Sequence, residues 1–343
     1  MTSVTSVAPV TVLGVDSGGS GLRVGLGLPE GAPPVAPLSS TEPVRTGPRG
    51  IDAAHLLTQL LPMARELLRR SGAGQLTAVA IGAAGMATLG DDLRAELPAA
   101  LARELGVRRL ALAADAVTAY AGALGTRPGA MVAAGTGLIA LGTDLSAWRR
   151  TDGWGHLLGD CGGGAWIGRA GLEAAMRAYD GRDGGSALLR TSAEKRFGPL
   201  PDLPGQLYPR TDRPAFLASF APDVGSCAAD DAVAAGILRT AARHIAESAA
   251  AACPATGPGT PACEIALTGG LFKLGEPLLG PLDEELARRL PHARRVPAAG
   301  DPLDGAVRIA TDLAGGRLAL PRDARLLTVH AAGTGDARTE SGS

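Results

Sequence analysis

Short apolar runs that end in glycine recur along this chain. The first run, residues 10–15, is rich in valine and is followed by Asp16 and then by Gly18, Gly19 and Gly21. Residues 22–28 alternate between apolar and other positions, which is the pattern of a second strand. These patterns predict a β-hairpin whose turn combines a carboxylate with several glycines.

Longer segments place apolar residues three or four positions apart, which is the spacing of one buried helix face. In residues 51–70, for example, charged side chains occupy the opposite face. Further helices are predicted over residues 91–105, 116–124, 165–179, 232–252, 275–290 and 301–315. Strands are predicted at residues 35–39, 76–81, 109–113, 131–134, 138–142 and 263–267. Asp301, followed by Pro302, is the predicted N-cap of the last helix.

The order strand, glycine turn, strand occurs twice in the chain. It returns at residues 131–142, where Gly135, Thr136 and Gly137 form the turn. This repeat predicts two similar α/β domains that face each other across a cleft in which phosphates are held. We expect residues 1–125 and 302–320 in the N-terminal domain, residues 126–301 with a helical insertion in the C-terminal domain, and a disordered tail at residues 321–343.

The composition disfavours several classes of partner. The 343 residues are enough for two domains, and 33 basic residues nearly balance 34 acidic ones. Because no basic block stands out, neither nucleic acid nor an anionic membrane is expected as a partner. The chain shows no basic leader and no apolar run of the roughly 18 residues that a membrane span needs, so we expect a soluble, cytoplasmic protein.

The cysteines show no metal-binding or redox spacing. Cys161, Cys227, Cys253 and Cys263 form no C-x-x-C pair and have no histidine partners at metal spacing. Neither a disulfide framework nor a structural zinc site is therefore expected, and reduced thiols fit a cytoplasmic setting.

The turn after the first strand has the chemistry of a phosphate cradle. Its glycines let backbone N–H groups approach a ligand that a Cβ would hold off, and Asp16 suits a Mg²⁺ carried on the phosphates. The stretch lacks the Lys-Ser/Thr pair of a Walker A loop and the helix that a dinucleotide fingerprint requires after its glycines. A plain glycine-rich hairpin without a ligand is the alternative.

Several motifs together are similar to those of one family. They are the first phosphate motif Asp16-Ser17-Gly18-Gly19-Ser20, the second phosphate motif Gly135-Thr136-Gly137, the adenosine motif Leu267-Thr268-Gly269-Gly270, and the stretch GWGHLLGD at residues 153–160 with Trp166-Ile167-Gly168 behind it. By these motifs, residues 10–319 resemble the N-acetylglucosamine kinase family within the BadF/BadG/BcrA/BcrD ATPase-like group. The resemblance implies an α/β fold of two actin/hexokinase-like (ribonuclease H-like) domains with ATP and sugar in an interdomain cleft.

The resemblance also implies a role for each candidate residue. Asp115, placed where a strand ends and a helix begins, is implied to be the general base for the sugar hydroxyl, with a helix N-cap as its alternative role. Asp16 is implied to hold Mg²⁺ through water. The residues implied to bind ATP are Gly18, Gly19, Ser20, Gly135, Thr136, Gly137, Gly269 and Gly270. The residues implied to contact the sugar are Asp115, Trp154, Gly155 and Asp160, with a turn role for Asp160 and a core role for Trp154 as alternatives.

The implied activity is ATP-dependent phosphorylation of an amino sugar, N-acetylglucosamine at its 6-hydroxyl, by a homodimer. Two departures from the family pattern fall in the sugar pocket: Cys161 stands where many relatives have Glu, and the loop 44–50 lacks the Asn of relatives. Glucosamine and N-acetylmuramic acid are therefore alternative substrates, and Arg45 or Arg49 would offer a partner to the lactyl carboxylate of the latter.

Two other functions share the same implied fold. An ATP-driven activator of a radical dehydratase needs a cluster cysteine just before the Ala-Ala-Gly-Thr-Gly turn, where Val132 stands here. A nucleotide-binding regulator without catalysis would need neither Asp16 nor Asp115. The presence of both carboxylates favours the kinase.

Overall fold

The computed structural model describes residues 10–19, 21–47, 49–255 and 262–331. The chain forms two compact units, Met1–Thr126 with Ala299–Ser343, and Arg127–Ala298. The first unit is thus built from both ends of the chain, whereas the second is continuous.

Both units contain strands and helices. The first part of unit one contains β1 (Val12–Gly18), β2 (Gly21–Gly27), β3 (Leu38–Ser40), β4 (Thr46–Gly47), β5 (Gly50–Ile51), α1 (Ala53–Ser71), β6 (Ala78–Ala83), α2 (Met86–Leu89), α3 (Asp91–Leu105), β7 (Arg109–Ala114) and α4 (Asp115–Leu124). Unit two contains β8 (Gly129–Ala134), β9 (Leu138–Thr143), β10 (Trp148–Asp152), α5 (Gly164–Asp180), α6 (Ala187–Phe197), α7 (Leu203–Leu207), α8 (Arg213–Ala218), α9 (Ala221–Cys227), α10 (Ala232–Ala252), β11 (Glu264–Thr268), α11 (Glu276–Arg289) and β12 (Arg294–Val296), with 3₁₀ turns at Leu200–Asp202 and Gly270–Leu274. The last described elements are α12 (Pro302–Ala314) and β13 (Leu327–Ala331), which belong to unit one.

The sheet of the first unit has six strands in the order β13-β7-β6-β1-β2-β3. β1, β6 and β7 are parallel, while β2, β3 and β13 pair antiparallel with their neighbours. The register sets Ser17 beside Ala83 and Ala83 beside Ala114. The carboxyl ends of the three parallel strands therefore share one edge of the sheet, so the glycine turn after β1 and Asp115 after β7 lie at the same edge.

Helix α12 supports this edge because it packs at backbone distance against α4. A Cβ on Gly305 would collide with the carbonyl of Thr118, and a Cβ on Gly122 would collide with the carbonyl of Asp301. Every residue of α4 is buried except Asp115, its first. The packing thus fixes the start of α4 and leaves one acidic side chain at the surface.

The second unit has a five-stranded sheet in the order β10-β9-β8-β11-β12. β8, β9 and β10 form an antiparallel meander, and β11 lies parallel to both β8 and β12. Its core consists mainly of alanine and leucine around the fully buried Phe220. The helical insertion predicted for this unit forms α5 to α10, and α10 has the same bounds as the predicted helix 232–252.

The prediction of a disordered tail from residue 321 is wrong for its first part. Leu327–Ala331 form β13, which pairs antiparallel with β7 along the free side of that strand. Leu326 and Leu327 are buried, so ladder hydrogen bonds and apolar burial hold this segment in the sheet. The composition of the segment conceals this pairing because its partner strand is distant in the sequence. Residues 332–343 lie outside the described part of the chain.

The prediction of reduced cysteines is wrong for one pair. Cys253 and Cys263 form a disulfide, whereas Cys161 and Cys227 are free. Cys253 directly follows α10 and Cys263 directly precedes β11. The two sulfurs meet because the end of α10 lies close to the start of β11, with a Cα–Cα distance of 6.7 Å between the cysteines, which residue spacing alone does not reveal.

Candidate active site

The end of β1 presents a carboxylate and open backbone at the edge of the first sheet. Asp16 lies within β1, and its side chain is 16% exposed. An added Cβ on Gly18 or Gly19 would meet no heavy atom of the described residues within 4 Å. The backbone of this turn is therefore approachable from outside. Ser20, the remaining predicted ATP ligand of the turn, lies outside the described residues.

Arg23 stands directly opposite Asp16 in the β1–β2 ladder and binds its side chain. Its Nε and Nη2 donate to Asp16 Oδ2 at 3.1 and 2.7 Å, and its Nη1 donates to Asp301 Oδ2 at 2.6 Å. Asp301 is also the N-cap of α12, as predicted, with its Oδ1 accepting from the backbone N–H groups of Leu303 and Asp304. One guanidinium thus connects the glycine turn to the start of α12.

Arg23 and Asp301 stabilise each other's charged forms. Burial disfavours the charged guanidinium, but the hydrogen bonds to Asp301 and Asp16 outweigh it and raise the pKa of Arg23. Burial also acts to raise the pKa of Asp301, but the hydrogen bonds from Arg23 and from the N–H of Asp304 outweigh it and lower that pKa. Arg23 and Asp301 are therefore a charged pair at neutral pH.

Asp115 is exposed at the start of α4, at the same sheet edge. The N-cap of α4 is the extended residue Ala114, so the alternative role of Asp115 as N-cap is wrong. Asp115 is instead the first helical residue, where its Oδ1 accepts from the N–H of Ala116 at 2.9 Å and the helix dipole favours a carboxylate. Asp115 follows β7, and β6 lies between β7 and β1. The distance across the sheet from Asp115 to the turn after β1 is therefore about 10 Å, twice the strand spacing of roughly 4.8 Å.

The hairpin β4–β5 carries the two arginines that were considered as partners for a substrate carboxylate. It packs against α2, because Gly50, with a φ of 98°, lies against the backbone of that helix. Arg49 pairs with Asp92 at 3.2 Å, and Arg45 pairs with Glu42 at 3.5 Å. Both guanidinium groups are well exposed, and each already faces a carboxylate of the same unit.

In the second unit, the turn of Gly135, Thr136 and Gly137 joins β8 to β9 and anchors the start of α5. The N–H of Gly164 donates to the carbonyl of Gly135, and the N–H of Ala165 donates to that of Thr136, both at 2.8 Å. A Cβ on Gly135 would meet no heavy atom of the described residues within 4 Å. The turn is thus held through its carbonyl groups, while the Cβ side of Gly135 stays open.

The adenosine motif lies next to this turn because β11 and β8 are parallel neighbours, with Thr268 beside Ala133. Gly269, with a φ of 105°, approaches the backbone of Ala134 so closely that a Cβ would collide with it. A Cβ on Gly270, in contrast, would meet no described heavy atom within 4 Å. The fold of the second unit therefore brings the second phosphate motif and the adenosine motif to one sheet edge.

Asp160 closes the loop of residues 153–159 onto the glycine turn. Its φ of 54° is left-handed, and its Oδ1 accepts from the N–H of Gly155 at 3.1 Å. Its Oδ2 lies where it would collide with a Cβ on Gly137. Burial raises the pKa of this carboxyl group against the hydrogen bond from Gly155, and the negative charge of Asp152 adds to the increase. The left-handed backbone of Asp160 fits the alternative role of a turn residue. Its carboxylate also lies beside Gly137, in the predicted second phosphate motif.

Trp154 lies on the surface of the same loop. Its side chain is 60% exposed, so the alternative role as a core residue is wrong. The guanidinium of Arg150 stacks over the ring at 4.4 Å from its centroid, and it also donates to the carbonyls of Asp152 and Gly153. The indole thus packs against a guanidinium while remaining exposed.

The described residues suit a metal that arrives with phosphates. Across the described ranges, no three His, Cys, Asp or Glu side chains form a metal cluster. Mg²⁺ is typically held by one or two carboxylates together with water and substrate phosphates, and Asp16 beside the open turn meets that requirement. None of the helices in the described part is both long and apolar enough to cross a membrane.

Sequence reasoning missed the contacts of Arg23, Asp301 and Asp152. The signal for Arg23 was available, since a hairpin in which Gly18 pairs with Gly21 sets residue 23 opposite residue 16. Asp301 was predicted as an N-cap only, and its contact with Arg23 joins two distant segments. Asp152 carried no motif; it binds the backbone N–H groups of Asp160 and Cys161.

Comparisons with known proteins agree with the motifs. A family model described as the BadF/BadG/BcrA/BcrD ATPase family matches residues 13–307. Over 110 residues the chain is 34% identical to the N-acetylmuramic acid/N-acetylglucosamine kinase of Clostridium acetobutylicum, a stretch that covers 32% of this chain and 35% of that protein. The match thus spans about a third of the length of this curated relative.

Solved structures show the same fold. A candidate N-acetylglucosamine kinase from Chromobacterium violaceum is 28% identical with a TM-score of 0.63, over 87% of this chain and 98% of that chain. A second candidate N-acetylglucosamine kinase, from Porphyromonas gingivalis, is 16% identical with a TM-score of 0.65, over 87% and 97% of the two chains. A ROK family glucokinase from Streptomyces griseus, in complex with glucose and AMPPNP, has a TM-score of 0.51 at 18% identity, over 88% and 99%. The predicted class, a two-domain α/β fold of the actin-like sugar kinases, is confirmed, while the predicted interdomain cleft stays a prediction.

Proposed function

We propose that the chain, which belongs to the BadF/BadG/BcrA/BcrD ATPase family, is an ATP-dependent kinase of an amino sugar. The family assignment confirms the resemblance inferred from the motifs. The substrate we propose is N-acetylglucosamine, which would be phosphorylated at its 6-hydroxyl with ATP and Mg²⁺ as cofactors. The expected homodimer and cytoplasmic location belong to the same proposal.

One observation carries this proposal: several glycines of the nucleotide motifs have no structural reason to be glycine. Neither a positive φ nor a close neighbour among the described residues applies to Gly18, Gly19, Gly135 and Gly270. Glycine at such open positions leaves the backbone free for the close approach of a ligand. Gly137 and Gly269, by contrast, are explained by their contacts within the second unit.

The residues divide the chemistry between them. When bound, ATP supplies the phosphoryl group and Mg²⁺ neutralises part of its charge. Asp16 would hold the metal, and the backbone N–H groups of the glycine turns would bind phosphate oxygens and stabilise the charge of the transition state. Asp115, exposed at the same edge as Asp16, would accept the proton of the sugar hydroxyl.

The charge of the loop 42–52 supports a neutral sugar as the substrate. Arg45 and Arg49 each face a carboxylate, Glu42 and Asp92, so neither is a preformed partner for a lactyl carboxylate. The name of the Clostridium acetobutylicum relative covers both N-acetylmuramic acid and N-acetylglucosamine. Both sugars therefore belong in the substrate panel, together with glucosamine.

The cysteines disfavour the activator of a radical dehydratase. Cys253 and Cys263 pair with each other, and Val132 occupies the position before the Ala-Ala-Gly-Thr-Gly turn. A purified protein without the colour of an iron–sulfur cluster would agree with this interpretation.

The first experiment is a coupled assay of ATP turnover against the sugar panel for the wild type and for Asp115→Asn. Loss of a general base lowers the rate by about 10² to 10⁴, whereas Asn keeps the shape of the side chain. Asp91→Asn is the matched control, because Asp91 is also an exposed first residue of a helix. A rate for Asp115→Asn equal to that of the control would remove Asp115 from catalysis.

The second experiment tests the open glycines by Gly18→Ala and Gly135→Ala. Both variants should be as stable as the wild type or slightly more stable, by about 0.4–1 kcal/mol, since alanine restricts the unfolded chain and meets no neighbour. ATP binding, measured by calorimetry, should nevertheless weaken at least tenfold. Unchanged ATP affinity in both variants would contradict the proposed nucleotide site.

A further inference from the structure

Asp152 at the end of β10 has a geometry that its place in the sequence does not explain. It adopts a φ of 60°, a left-handed conformation that few residues other than glycine, asparagine and aspartate tolerate. Its Oδ1 accepts from the N–H of Asp160 at 2.6 Å, and its Oδ2 accepts from the N–H of Cys161 at 3.0 Å. Both oxygens of one carboxylate are thus used to hold two consecutive peptide groups.

These two peptide groups determine where the Asp160 side chain lies. Asp160 is itself left-handed, and its carboxylate lies between the N–H of Gly155 and the Cα of Gly137. A change in the backbone direction at Asp160 would therefore move its carboxylate away from the glycine turn. The position of the Asp152 carboxylate also requires glycine at the adjacent residue 159, because a Cβ on Gly159 would collide with Asp152 Oδ1.

The arrangement has an electrostatic cost, because it places the carboxylates of Asp152 and Asp160 near each other. Burial is the largest effect that raises the pKa of Asp160, the negative charge of Asp152 adds to this increase, and the charge of His156 acts against it. The thiol of the adjacent Cys161 also feels the charges of both carboxylates. A neutral anchor would spare this repulsion. A carboxylate, however, offers acceptor oxygens at both ends, whereas an amide offers one acceptor and one donor.

We propose that Asp152 is a positioning residue of the site, which fixes the backbone at Asp160 and thereby aims the Asp160 carboxylate at its ligand. The part of this proposal that concerns the sugar hydroxyl rests on the proposed kinase function. The part that concerns the geometry of Asp160 rests on the second unit alone.

Two variants test this role without straining the backbone. Asp152→Asn keeps a residue that tolerates a left-handed φ but presents an NH₂ group to one of the two N–H donors. Asp152→Gly removes the carboxylate where glycine has no conformational penalty. The matched control is Asp144→Asn, because Asp144 also accepts from two backbone N–H groups, those of Ser146 and Ala147, in the turn between β9 and β10.

Hydrogen exchange and carboxyl titration are the substrate-free measurements. In Asp152→Gly the amides of both Asp160 and Cys161 should exchange about 10-fold faster or more, which corresponds to the loss of a hydrogen bond to a charged group. In Asp152→Asn the amide that faces the NH₂ group should show this change, because the remaining side-chain oxygen still accepts from the other amide. Removal of the neighbouring negative charge should also make the Asp160 carboxyl titrate at lower pH, as followed by ¹³C NMR. The control variant should change neither quantity.

The kinetic measurement separates positioning from simple loss of structure. For the Asp152 variants we expect the KM for the sugar to rise about 10-fold, with the affinity for ATP alone unchanged. Amide exchange and titration equal to those of the wild type would overturn the proposal. If the wild type phosphorylates no sugar while both substrate-free changes occur, the kinase function fails and the positioning role stands.

Discussion

The cluster of Asp16, Arg23 and Asp301 leads to a prediction about the stability of the first unit. Arg23→Gln keeps most of the side-chain stem but removes the positive charge that two carboxylates share. The side chain of Arg23 is 37% exposed, that of Asp16 16% and that of Asp301 49%. We therefore expect the loss to exceed that of one surface pair but to stay well below that of a buried pair.

The magnitude follows from the three hydrogen bonds of the guanidinium. A surface ion pair contributes about 0.2–1 kcal/mol, and hydrogen bonds to charged groups about 1.5–3 kcal/mol before solvent screening is considered. Because Arg23 is partly exposed, solvent screening reduces these values, and we expect Arg23→Gln to lower the free energy of unfolding by about 1–2 kcal/mol. Arg65→Gln, which removes the more exposed pair of Arg65 with Glu104, should cost less than about 0.5 kcal/mol.

The loss should depend on pH in a defined direction. The pKa of Asp301 is lower in the folded chain than its ordinary value, so its contribution is present above about pH 4, the usual pKa of Asp, and is lost as the pH falls through the lowered value. The difference between the wild type and Arg23→Gln should therefore shrink in acid. The double variant with Asp301→Asn should lose less than the sum of the single variants.

The measurement must report on the first unit itself. All three tryptophans, Trp148, Trp154 and Trp166, lie in the second unit, so fluorescence would follow the wrong part of the molecule. Amide hydrogen exchange in β1 and β2 reports the local opening free energy instead. An Arg23→Gln variant that exchanges like Arg65→Gln, or shows no coupling to Asp301, would refute the reasoning.

Three further predictions concern the other motifs. Gly137→Ala should destabilise the second unit by about 1–3 kcal/mol, because the new Cβ meets Asp160 Oδ2; tryptophan fluorescence during urea unfolding measures this. Cys253→Ser should lower the free energy of unfolding by about 2–3 kcal/mol, the loop-closure value for a separation of 10 residues. Thiol titration of the denatured, unreduced wild type should then find two reactive cysteines, and four would contradict the disulfide with Cys263. Asp16→Asn should remove the Mg²⁺-dependent part of the ATP affinity, which calorimetry with and without magnesium measures.

Local patterns were sufficient to predict most of the secondary structure. Periodicity predicted α10 with its observed bounds and α3 over Asp91–Leu105. The N-cap of α12 followed from Asp301 and Pro302, because capping depends on a few adjacent residues. The motifs also predicted the family, since glycine turns after strands are a local feature of the chain.

Contacts between distant segments were beyond the reach of such patterns. β13 is a strand because β7 offers it a free edge, and its own composition resembles that of a tail. The disulfide of Cys253 and Cys263 is another case, because the proximity of the end of α10 and the start of β11, rather than a spacing rule, brings the sulfurs together.

The candidate site shows the same division. Asp16 and Asp115 were identifiable because Asp16 lies near the carboxyl end of β1 and Asp115 directly follows β7, but their chemical surroundings were not. Arg23 reaches Asp301 only after α12 has packed onto the sheet, and Asp152 reaches Asp160 only after the loop of residues 153–159 has closed. Periodicity follows from bonds between neighbours in the chain, whereas the partner of a long or charged side chain depends on which surfaces the completed fold brings within hydrogen-bonding distance.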